Sequence, residues 1–91
     1  MPKQIEHSDV PTREEFKAWT IRLMRDGVTN SRKMREIIAQ ERELEVDWDT
    51  GGRWNANPSG TFINTHAFAL VQLQSEGLIE KIGVEEYQLK S

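Results

Sequence analysis

Several residues in this sequence have types and spacings that resemble the parts of a reactive site. Glu15-Phe16-Lys17, with Asp9 upstream, spells the acid-x-lysine pattern of a metal-dependent nuclease. Such a site needs its acids and lysine to converge on a metal ion. Thr12 and Glu15, however, stand in the TxxE spacing of a capping box, and Phe16 falls on the apolar stripe of the run that follows. The pattern therefore reads as the opening of a helix. Asp47, Asp49, Gly52 and Asn55 imitate a calcium loop, but Pro58 stands where the closing bidentate glutamate belongs and Gly51 replaces an earlier ligand. His7 lies near the start, and His66 lies on an apolar helical face, where a neutral ring giving its N–H to a backbone carbonyl is expected. With no cysteine, no paired histidines and no serine beside a base, nucleophilic and general-base chemistry lack their parts. The expectation is a non-enzyme with no cofactor and no metal.

These residues belong to a chain of 91, enough for one small domain with a single modest core. The absence of cysteine removes disulfides and thiolate metal sites and suits a reducing interior. The start MPKQIEHSDVP lacks the apolar stretch of a signal peptide, and no apolar run is long enough to cross a bilayer. The expectation is a cytoplasmic protein without a membrane partner. A formal net charge of −3 argues against strong attraction to phosphate backbones, yet it hides an asymmetry. Residues 12–35 hold seven Lys/Arg against three Asp/Glu, whereas residues 36–49 hold one Arg against six acids. That acidic run, Glu41 to Asp49, reads as a solvated edge or as a surface for a basic partner.

Periodicity assigns the elements. Residues 1–10 read as a flexible tail and residues 11–91 as the domain. A first helix begins at Thr12, turns Phe16, Trp19, Thr20, Leu23 and Met24 inward, and ends at Asp26-Gly27. Thr29-Asn30-Ser31 offers caps for a second helix with Met34, Ile37, Ile38 and Glu41 on one stripe. A third helix, about 61–77, starts near Thr61 or Phe62 with Ser59 or Thr61 as cap, and Gly77 stops it in a left-handed turn. Phe62, His66, Ala69, Leu70 and Leu73 share its inner face; Thr61, Asn64, Phe68, Val71 and Ser75 lie opposite. LIEKIGVEEYQLK then reads as two short strands, about 78–82 and 86–90, turning at Gly83.

This order, three helices and a hairpin, gives a mainly helical α+β class with the architecture of a winged helix-turn-helix. From Pro11 to Lys90 the chain resembles the winged-helix N-terminal domain of Mrr-type proteins, which act in restriction of modified DNA. The resemblance rests on TFINTHAFALVQLQSEGL: Phe62, Asn64, Phe68-Ala69, Leu73 and Gly77-Leu78 match the family pattern in register, and PTREEF and Ser31 match in character. It implies a third helix in the major groove and a flanking wing. The family pattern also places arginines where this chain has Thr61 and Thr65, and often a basic residue where it has Glu85-Glu86. Each lost phosphate contact weakens binding and flattens its salt dependence by roughly one charge. The family's nuclease is a separate domain, not expected in this chain.

For contact with double-stranded DNA, modified or not, the candidates are Thr61, Asn64, Thr65 and Phe68 on the third helix. An asparagine pairs bidentately with adenine, and a threonine methyl meets that of thymine. The competing role of Asn64 and Thr65 is to cap or solvate the helix, and that of Phe68 is to pack under the wing or against the Trp48 and Trp54 loop. Ser31, Arg32 and Lys33 open the second helix, where free amides, the dipole and two cations suit a phosphate. Arg35 and Arg53 extend that contact. Two functions follow: a non-catalytic DNA-binding regulator or targeting subunit, with a homodimer or a separately encoded effector as partner, or a winged helix that docks protein through its acidic run and Trp loop. In a third, Trp48 or Trp54 stacks on an extruded modified base. The plainer role for these tryptophans is to pin the loop onto the core.

Overall fold

The computed structural model describes residues 2–50 and 57–90. Arg53, Trp54 and the greater part of the glycine-rich loop, with the contacts assigned to them, lie outside the described residues. Helix α1 runs Arg13–Arg25, α2 Ser31–Glu41 and α3 Pro58–Ser75. Short strands β1 (Lys3–Gln4) and β2 (Leu44–Glu45) pair in parallel, and β3 (Ile79–Gly83) and β4 (Glu86–Leu89) form an antiparallel hairpin at the C-terminal end. The fold is thus α+β and mainly helical. No helix among the described residues is long and apolar enough to cross a membrane.

Local sequence explains each boundary. Thr12 Oγ1 accepts from the Glu15 amide while the Glu15 carboxylate accepts from the Thr12 amide, a full capping box that satisfies two otherwise unpaired donors. At the other end Gly27, at φ 94°, lets Val28 N–H reach the Leu23 carbonyl and Gly27 N–H that of Met24. This is the Schellman arrangement. α3 ends the same way, with Gly77 at φ 76° and Leu78 N–H on the Leu73 carbonyl. α2 ends on Glu43 at φ 55°, a left-handed residue that is not glycine.

α3 begins earlier than its periodicity indicates. Its cap is Asn57, whose Oδ1 accepts from the Gly60 amide, and Pro58 takes the first turn, where its missing N–H costs nothing. Ser59 instead donates no cap: its hydroxyl accepts from the Asp47 amide and ties the loop to the helix. The core forms where α1 crosses α3. Phe16 and Phe62 are fully buried and meet edge to face at 5.1 Å, and Met34, Ile38, Leu73 and Ile79 close around them. Trp48 packs edge-on against Phe62 at 5.8 Å, the supporting role expected of it.

One expectation is corrected. The segment read as a flexible tail is built into the fold: Lys3 N–H donates to the Glu43 carbonyl, Ile5 N–H to that of Glu45, and the Ile5 side chain is buried in the core. A single apolar residue among polar neighbours left no periodic signal. Trp19, assigned to the inner face of α1, packs against the core at its edge and is half-buried. Its indole N–H donates to Glu41, and Arg42 stacks over its ring at 5.0 Å. Glu41 also accepts from Arg22, so part of the acidic run is paired within the chain.

Candidate nucleic-acid interface

The inner face of α3 is as periodicity assigns it: Phe62, His66, Ala69, Leu70 and Leu73 are all buried. The opposite face carries no Lys, Arg, Asp or Glu from Pro58 to Ser75. Thr61, Asn64 and Thr65 are half-buried there and bonded back to their own helix. The Thr61 hydroxyl donates to the Asn57 carbonyl, the Asn64 amide to that of Gly60, and the Thr65 hydroxyl to that of Thr61 at 2.7 Å. These bonds to the preceding turn are the local competition open to short polar side chains in a helix. Further along the same face, Phe68 is 43% and Val71 59% exposed.

The start of α2 differs most from expectation. Asn30 caps it through Oδ1 on the Lys33 amide, and Arg32 and Lys33 are exposed. Ser31 and Arg35, both assigned to a phosphate, are buried and engaged by the hairpin instead. Glu85 Oε1 accepts from the Ser31 hydroxyl at 2.7 Å and from Arg35 Nη2 at 3.0 Å, while the Glu85 carbonyl accepts from the Ser31 amide at 2.8 Å. The neighbouring Glu86 carboxylate accepts from Asn30 and Thr29, and Tyr87 N–H donates to the Thr29 carbonyl. The physical reason is that a helix start and a guanidinium attract any nearby anion. The hairpin turns through Val84 and Glu85, with Glu85 at φ 58°, rather than tightly at Gly83. That turn delivers the carboxylate to α2.

No family model, curated protein or solved structure matches the chain.

Arg35 links this surface to the interior. Its Nη1 lies 3.4 Å from Nδ1 of His66, and His66 Nε2 lies 3.1 Å from the Thr20 hydroxyl. A guanidinium can only donate, so Nδ1 accepts, and the ring proton sits on Nε2 and is given to Thr20. The expected backbone carbonyl is replaced by a side-chain hydroxyl. Burial first, and the Arg35 charge second, push the His66 pKa down to about 3, against a smaller upward pull from Glu85. The ring is therefore neutral at pH 7. Burial alone would raise the Glu85 carboxyl; hydrogen bonds from Ser31 and Arg35 and the charges of Arg35 and Arg32 outweigh it and leave the carboxyl below its ordinary value. Sequence reasoning named Glu85 only as a misplaced acid. Its pairing with Ser31 and Arg35 spans 54 and 50 positions and has no local signal.

The nuclease-like triplet is dispersed. Glu15 belongs to the capping box and accepts from Arg42, Lys17 pairs with Glu76 at 2.7 Å, and Asp9 accepts from the Glu6 amide and pairs with Lys3. In the calcium-like stretch Asp47 accepts from the Asp49 amide. Among the described residues no cluster of three or more His, Asp or Glu side chains is placed to hold a metal ion.

Proposed function

We propose that the chain is a non-catalytic winged-helix DNA-binding module, similar to the N-terminal domain of Mrr-type proteins, that serves as a small regulator or targeting subunit in the cytoplasm. The supporting observation is the outward face of α3, Thr61, Asn64, Phe68 and Val71 with no charge among them, together with exposed Arg32 and Lys33 at the start of α2. In this reading α3 enters the major groove, Asn64 and the threonines exchange their intrahelical bonds for base edges, and Arg32 and Lys33 hold phosphates. With Ser31 and Arg35 engaged by Glu85, fewer groups remain for phosphates, so affinity is low and its salt dependence shallow.

Anisotropy titration of unmodified and methylated duplexes across salt concentrations tests this. Binding that weakens with salt and drops in Arg32→Ala/Lys33→Ala supports it; no binding at low salt removes it. A second reading, docking of a protein partner, is favoured by exposed apolar residues on α3 and the hairpin: Phe68, Val71, Ile82 at 57% and Val84 at 87%. Under that reading the duplex titration stays flat, and Phe68→Ser/Val71→Ser abolishes self-association or partner capture.

A further inference from the structure

We propose that the hairpin is self-blocking: the Glu85 carboxylate occupies, within the chain, the place at the start of α2 that a backbone phosphate takes when DNA binds. This rests on the DNA reading above. The groups that receive Glu85 are a serine hydroxyl and a guanidinium on the first turns of a helix, flanked by exposed Arg32 and Lys33. That donor set suits a phosphate oxyanion as well as a carboxylate. Arg35 is nine-tenths buried and under-used: Glu85 takes only Nη2, Nη1 faces His66, and Nε is buried with no hydrogen-bond partner among the described residues. A planar guanidinium presents its donors as a fork, and one carboxylate oxygen fills a single prong.

The lock is a side-chain lock. The hairpin backbone is held separately, by Ser31 N–H on the Glu85 carbonyl, Tyr87 N–H on the Thr29 carbonyl and the bridge between Asn30 and Glu86. The Glu85 carboxylate, at 40% exposure, can therefore swing outward without unfolding the hairpin. His66 and Thr20 hold Arg35 from behind, so the guanidinium stays in place for whichever anion arrives. The exchange is one anion for another on fixed donors.

The test compares Glu85→Ala with Glu80→Ala, which removes the same charge from the same hairpin without touching Ser31 or Arg35. Each full-length variant is titrated with a duplex across salt and, separately, with inorganic phosphate while the Ser31 and Arg32 amide signals are followed by NMR. The lock predicts that Glu85→Ala binds duplex about tenfold tighter than the unmodified chain at low salt, with a salt slope steeper by about one. Glu80→Ala gains less than about twofold, and adding Arg35→Ala to Glu85→Ala cancels the gain. Phosphate shifts the Ser31 and Arg32 signals saturably in Glu85→Ala and not in the unmodified chain. Equal gains from both single variants with unchanged slopes overturn the proposal, because net charge then accounts for everything. If no variant binds duplex while phosphate still binds Glu85→Ala, the lock stands and the DNA reading falls. If neither ligand responds to Glu85→Ala, the lock falls. Glu85→Gln, which keeps the side-chain length, replaces Glu85→Ala should the latter not fold.

Discussion

His66 Nε2 lies 3.1 Å from the Thr20 hydroxyl, joining α3 to α1 where both residues are fully buried. The ring stays neutral when folded down to about pH 3, whereas in the unfolded chain it takes a proton near pH 6.5. Between those values the unfolded state binds more protons, so stability falls as pH falls. The expected slope is about 1 kcal/mol per pH unit. Glu85, whose folded pKa is depressed, loses its contribution only lower, as pH falls through the carboxylate range. Denaturant melts from pH 7 to 5 isolate the histidine: His66→Gln keeps an acceptor for Arg35 and a donor for Thr20 but does not titrate, and its melts should be flat over that window.

Ile5 sets a second expectation, because its burial is the anchor of the β1–β2 pair. Ile5→Ala should cost about 2–4 kcal/mol, and removing residues 2–5 should cost at least as much. Urea unfolding measures both. A cost near zero would mean that the segment is a tail after all.

The three left-handed helix ends give a paired test. Gly77 and Gly27 have nothing within 4 Å of an added Cβ, so Gly77→Ala meets no clash and suffers only the backbone penalty of φ 76°. The expected loss is about 1 kcal/mol. Glu43, at φ 55° in the equivalent place after α2, is the converse. Glu43→Gly should stabilise by up to about 1 kcal/mol. Thermal melts of the two variants should move in opposite directions.

Thr12→Ala should remove one bond of the capping box and cost about 1 kcal/mol. Because the Glu15 carboxylate also accepts from Arg42, Glu15→Gln should loosen the contact between α1 and the end of α2 as well as the cap. Amide exchange at Glu15 and Phe16 distinguishes a frayed helix start from global loss of stability.

What the sequence disclosed follows from the range of the interactions involved. The capping box, the inner faces of α1 and α3, the two glycine stops and the hairpin rest on residues within a few positions of one another, so pattern alone locates them. Ile5 was missed because one buried residue has no period, and the start of α3 because Asn57-Pro58 carries the capping signal just before the apolar run begins. The candidate site was half legible. Exposed Arg32 and Lys33 and the uncharged α3 face follow from helical spacing, but the fate of Ser31 and Arg35 depends on a carboxylate 54 and 50 positions away. Charge counted along the chain treats Glu85 and Arg35 as separate, whereas in space they cancel at one point.

The parallel pairing of Lys3–Gln4 with Leu44–Glu45 bears on how the protein is made. A growing chain delivers β1 some forty residues before its partner, so Ile5 waits in water while α1 and α2 are synthesised. That seam has a long loop to close and is expected to seal late, after local helical contacts have formed. A bulky fusion placed just before Lys3 therefore burdens the last step of assembly, whereas one placed after Lys90 follows a hairpin whose two strands pair with each other locally before docking on α2.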